Sequence, residues 1–124
     1  MKFQFTYREY KEFESDLIIM GFKKYNGKLH SEDYYLAKTI HRTEPDEDGD
    51  TRSDLQLFIC VYDFSKYPRF DQPDFMHLQV EIHISRNIDE RIDLIVNDKI
   101  CKSIHDLESF AFKFYDFITS NVPE

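Results

Sequence analysis

The chain has 124 residues, room for one domain, 1–124, and folding at that size buries roughly two thirds of the surface an unfolded chain exposes. Its 12 Phe and 8 Tyr supply large buried areas per residue, so the 41% hydrophobic share is enough for a core, and disorder is not expected for most of the chain. The formal charge of −8, with 24 acidic against 16 basic residues, sets up a field that repels a phosphate backbone and disfavours direct binding of nucleic acid.

Phe3 and Phe5 alternate as a short extended lead-in. Thr6 and Glu9 then have the spacing of a capping box, and Tyr7, Tyr10, Phe13, Leu17 and Met20 recur at three- and four-residue steps up to Gly21. This predicts an amphipathic helix with a glycine stop, leaving Phe22 free to fold back on the last turn. Asn26-Gly27, between Phe22-Lys-Lys-Tyr and Lys28-Leu-His, is the pair that best tolerates a type I′ turn and predicts a small hairpin. Lys23, Lys24 and Lys28 form the densest basic group, and lysines beside a turn read as a solvated hairpin.

Tyr34 to Arg42 reads as the next strand, with Tyr34, Leu36 and Ile40 on one side and Tyr35, Ala37, Thr39 and His41 on the other. Glu44 to Asp50 is an acidic tip broken by Pro45 and Gly49. Asp54 to Phe64 alternates again: Leu55, Leu57, Ile59 and Val61 face one way, Gln56, Phe58, Cys60 and Tyr62 the other. The connection Ser65 to Phe75, with Pro68 and Pro73, is expected to be a packed loop.

The clearest signal is Met76 to Ser85, where Met76, Leu78, Val80, Ile82 and Ile84 alternate with His77, Gln79, Glu81, His83 and Ser85. Ile92, Leu94 and Val96 mark a shorter strand. Ser103 and Asp106 make a second capping pair before a helical stripe of Ile104, Leu107, Ala111, Phe114 and Ile118, flanked by Phe110 and Phe117. Consecutive strands on short loops pair antiparallel, and a sheet with one apolar face needs cover. The expected fold is α+β: a two-layer sandwich of an antiparallel meander sheet, four to six strands, with the N- and C-terminal helices packed on one face.

Two cysteines, Cys60 and Cys101, lack C-x-x-C spacing, so reduced thiols in a cytoplasmic protein are expected rather than a bridge. The opening residues lack the apolar run of a signal peptide, and no stretch reaches the ~18 apolar residues of a membrane span.

The outward row His77, Gln79, Glu81, His83 is the first place to look for chemistry. His77 and His83 lie roughly 20 Å apart along a strand, too far to share an ion, while Glu81 and His83 are roughly 7 Å apart and need a third ligand from a neighbouring strand, with His41 as the candidate. A solvated polar face is the stronger reading of that row. The acidic tip fails as a calcium loop: with Gly49 at its sixth position, Leu55 falls at the twelfth, where a bidentate Glu is required. Cys60 shares a face with His83 if their strands pair, but its neighbours Phe58 and Tyr62 are those of an inert thiol. With three glycines in all, the chain has no phosphate-cradling loop.

What remains is a surface. Tyr35, Phe58 and Tyr62, with Ile95 as a further candidate, gather beside His77, Glu81 and His83 into an aromatic patch with polar edges, and interfaces favour such rings. The expected function is a small non-catalytic protein-interaction module whose partner-binding residues are Tyr35, Phe58, Tyr62, His77, Glu81 and His83, the partner being another protein or a second copy. The alternatives are an acidic inhibitor or nucleic-acid mimic, motivated by the charge and the Glu44 to Asp50 run, and a metal- or thiol-dependent enzyme on the same face. No cofactor, metal or catalytic residue is assigned.

Overall fold

A computed structural model describes residues 2–27, 29–43, 53–64, 75–86, 90–97, 99 and 102–120. Its elements run β1 (Gln4–Thr6), α1 (Tyr7–Ile19), β2 (Lys23–Tyr25), β3 (Tyr34–Arg42), β4 (Ser53–Asp63), β5 (Phe75–Arg86), β6 (Glu90–Val96) and α2 (Ile104–Ser120). The strands form one six-stranded antiparallel sheet in the order β1-β5-β4-β3-β2, with β6 also paired to β5. With a helix near each end of the chain, this is the expected α+β architecture.

The inward residues of the two alternating strands are buried as their period requires. Met76, Leu78, Val80, Ile82 and Ile84 on β5, and Leu55, Leu57, Ile59 and Val61 on β4, are all at most 1% exposed. Each such side chain contributes about 1.5–3 kcal/mol of transfer free energy.

The packing divides into two compact units. The first holds Lys2–Lys38 and Phe58–Val80, the second Thr39–Leu57 and Glu81–Glu124.

In the first unit, the Thr6 hydroxyl accepts the Glu9 N–H at 3.3 Å and starts α1. Gly21 ends the helix at φ 103°, a conformation favoured by a residue without Cβ, and the Phe22 N–H donates back to the Leu17 carbonyl at 3.0 Å, leaving Phe22 buried. The lead-in is a true strand, because β1 pairs with β5 in the register Gln4↔His77, Phe5↔Met76. Phe5 then stacks on Phe13 at 5.1 Å and meets the edge of Tyr10 at 6.2 Å.

The Asn26-Gly27 hairpin does not form. β2 pairs instead with β3, Lys23↔Ala37 to Tyr25↔Tyr35, and among the described glycines only Gly21 has the positive φ that a type I′ turn demands. The chain after Gly27 is anchored at its far end. The Glu32 carboxylate accepts the His30 N–H at 2.7 Å, and Asp33 ties to β4 by donating to the Val61 carbonyl at 2.9 Å and accepting the Asp63 N–H at 2.7 Å. Those bonds set the return point of the chain near residue 33 rather than 28.

In the second unit, the Ser103 hydroxyl accepts the Asp106 N–H at 3.1 Å, and Ile104, Leu107 and Ala111 are buried as predicted. Tyr115 completes the buried stripe, whereas Phe117 is 63% exposed. His41 packs against α2, 5.1 Å from Tyr115 and 6.3 Å from Phe112. Across β3 and β4, Gln56 donates to the Thr39 hydroxyl at 3.1 Å and Arg42 to Asp54 at 3.3 Å.

The acidic tip Glu44 to Asp50, the Ser65 to Asp74 connection, Lys28 and Cys101 lie outside the described residues. Among the described residues, no helix is long and apolar enough to cross a membrane.

Candidate functional site

The six residues expected to form one outward patch fall into three groups. Two of these belong to the first unit and one to the second.

Tyr35, on β3, is the middle of a stack. Tyr25 of the edge strand β2 lies over it at 5.1 Å with the rings 16° from parallel, and Phe58 of β4 meets it from the other side at 5.7 Å. The pairing of Tyr25 with Tyr35 across β2 and β3 creates the stack, since directly opposed residues bring their Cβ atoms together. Exposure decreases along it: Tyr25 is 42% exposed, Tyr35 half-buried and Phe58 9%. Phe58, expected on the surface, is thus the buried base of the stack.

Tyr62 and His77 come together as expected, 6.3 Å apart, with Phe64 stacked on Tyr62 at 6.4 Å. All three are half-buried, and burial lowers the pKa of the His77 imidazole below the ordinary histidine value.

Glu81 and His83 depart furthest from expectation. They are 1% and 2% exposed, so they contribute nothing to an open face, and the solvated polar row predicted here is overturned for these two positions. The neighbour expected to join them was His41; the neighbour present is Asp93 of β6. The His83 Nε2 lies 3.1 Å from Glu81 Oε1, and its Nδ1 lies 3.6 Å from Asp93 Oδ1. Arg91 donates through Nε to the same Asp93 oxygen at 2.8 Å. Burial is the largest influence on His83 and lowers its pKa; Glu81 and Asp93 pull the other way, and the Arg91 charge adds to the lowering.

Asp93 was legible in principle. β5 ends at Arg86 and β6 begins at Glu90. Three residues back from one and three forward from the other are His83 and Asp93, so a simple hairpin sets them face to face.

Two further polar clusters have no counterpart in the sequence reading. In the first unit, the Tyr34 hydroxyl donates to Glu14 Oε2 at 2.8 Å, Lys24 Nζ lies 3.6 Å from Glu14 Oε1, and the same ammonium sits 4.1 Å above the Tyr34 ring. Glu14 is 8% exposed; burial acts to raise its pKa, but the Tyr10 and Tyr34 hydroxyls and the Lys11 and Lys24 charges outweigh it and hold the carboxyl below its ordinary value. The buried Cys60 thiol is free of any disulfide and faces Glu32, whose carboxyl is likewise held low by that thiol and by backbone N–H groups, against the opposing effect of burial. Both clusters tie α1 or a loop to the sheet.

No family model, no curated protein and no solved structure matches the chain.

Proposed function

We propose that this protein is a small non-catalytic protein-binding module acting in the cytoplasm, with the Tyr25–Tyr35 stack at the centre of its contact surface and Tyr62 and His77 as further contacts. The observation that carries this reading is the stack itself. The exposed Tyr25 lies flat on the Tyr35 ring, which Phe58 meets in turn, so its rotamer freedom is already reduced and a partner gains contact area without the roughly 0.5–1.5 kcal/mol ordering cost of a free side chain. The ring of Tyr25 offers an apolar face with a hydroxyl, the chemistry enriched where proteins meet. The net charge of −8 speaks against a nucleic-acid partner, and Glu81 and His83, being buried, leave the contact set.

A photo-reactive phenylalanine derivative placed at Tyr25 tests this, with the same group at exposed Ser15 of α1 as control. Irradiation in the source cell is expected to give a discrete protein adduct from position 25 alone. The same experiment on purified protein gives a self-adduct if the partner is a second copy. Identical adduct patterns from both positions, or none from position 25 in either setting, refute the proposal.

A further inference from the structure

We propose that Glu81, His83 and Asp93 form a binding site for one divalent transition-metal cation of the zinc class. One ligand atom from each of the three lies within 4.8 Å of the other two, and all three residues are carried on paired strands, β5 and β6, which hold them more firmly than a loop would.

The imidazole supplies the strongest argument. Both of its nitrogens face carboxylate oxygens, Nε2 towards Glu81 and Nδ1 towards Asp93. A neutral imidazole has one N–H and one lone pair, whereas a carboxylate only accepts. In a neutral ring one nitrogen directs its lone pair at a carboxylate oxygen, whereas an imidazolium donates to both carboxylates. A divalent cation on that nitrogen takes the place of the second proton. The nitrogen that does not bind the ion keeps its N–H, and a hydrogen bond from it fixes the tautomer of the ligating ring. The 3.6 Å from Nδ1 to Asp93 Oδ1 is long for a hydrogen bond and near the roughly 3.3 Å between neighbouring ligands of a tetrahedral zinc ion with ~2.0 Å bonds.

Charge and access fit the same ion. The cluster contains two carboxylates and one guanidinium, and coordination is a recognised way to hold a carboxylate that is 1% exposed. The Asp93 side chain is 37% exposed, which gives the ion a way in and leaves a position for water beside three protein ligands. One imidazole with two carboxylates favours zinc or manganese over magnesium or calcium, which prefer oxygen alone. The Arg91 guanidinium opposes the ion, so affinity is moderate and rises when that charge is removed.

The test is a zinc chloride titration of the purified, metal-stripped chain against a chromophoric zinc chelator, with circular dichroism to confirm folding. Wild type is expected to take one equivalent. Asp93→Asn, a change at a partly exposed side chain that leaves the core intact, weakens binding about 10-fold or more, Glu81→Gln weakens it as well, and Arg91→Gln tightens it. The proposal is overturned if folded wild type takes no zinc, if Asp93→Asn binds as tightly as wild type and thereby assigns the zinc to other histidines, or if magnesium outcompetes zinc at equal concentration.

Discussion

Tyr34→Phe removes one oxygen atom and leaves the rest of its cluster in place. The ring still lies 6.4 Å from Tyr10 and beneath the Lys24 ammonium, but Glu14 loses the hydroxyl that donates to it at 2.8 Å. A hydrogen bond to a charged, buried group is worth about 1.5–3 kcal/mol. With an unfolding entropy of about 2.1 cal/mol/K per residue, that loss lowers the melting temperature by roughly 6–12 °C. Lys24, its side chain 38% exposed and 3.6 Å from Glu14, compensates little, because solvent screens its charge.

The same bond predicts a pH dependence. The folded-state pKa of Glu14 lies below its ordinary value, so the carboxylate contributes stability that is complete above the ordinary range and lost as pH falls through the folded value. The difference between wild type and Tyr34→Phe must therefore narrow in acid. Urea unfolding followed by circular dichroism at neutral pH and near pH 3 measures both quantities. A neutral-pH difference below about 0.5 kcal/mol, or one that widens on acidification, refutes the reasoning.

Three further outcomes are open to the same unfolding assay. Leu78→Ala, at a fully buried position, costs about 2–5 kcal/mol, and a cost under 1 kcal/mol would mean that β5 is not central to the core. Ser103→Ala removes the acceptor of the Asp106 N–H and costs about 1 kcal/mol, whereas Ser103→Asn restores most of it. Gly21→Ala costs about 1–2 kcal/mol through its backbone at φ 103°, since the added Cβ meets only the Lys38 side chain at 3.5 Å; Gly27→Ala, with no positive φ, is nearly neutral, and equal effects would remove the conformational explanation.

The sequence was most informative where a rule acts over a few residues. Period two on Met76 to Ile84 and Leu55 to Val61 identifies core strands because a strand has two faces, and Thr6 and Ser103 identify helix starts because their hydroxyls reach N–H groups three residues on. The rule failed at Asn26-Gly27, where a local turn preference lost to bonds between Asp33 and residues some thirty positions away on β4. Alternation also says which side a residue occupies, not what covers it. His77 and His83 therefore look alike in the sequence, although one is half-buried and the other nearly sealed. The period of β6 is carried by Ile92, Leu94 and Val96 and leaves the charged residues between them, Asp93 included, unmarked.

The pairing of Gln4 with His77 carries a consequence for synthesis. The strand that receives Gln4 emerges from a ribosome 73 positions after it, a delay of roughly 4–15 s at about 5–20 residues per second. Throughout that interval β1 lacks the strand it pairs with, and Phe5 shelters on Phe13 and Tyr10. A nascent chain stalled before residue 75 thus leaves β1 without the strand that pairs with it.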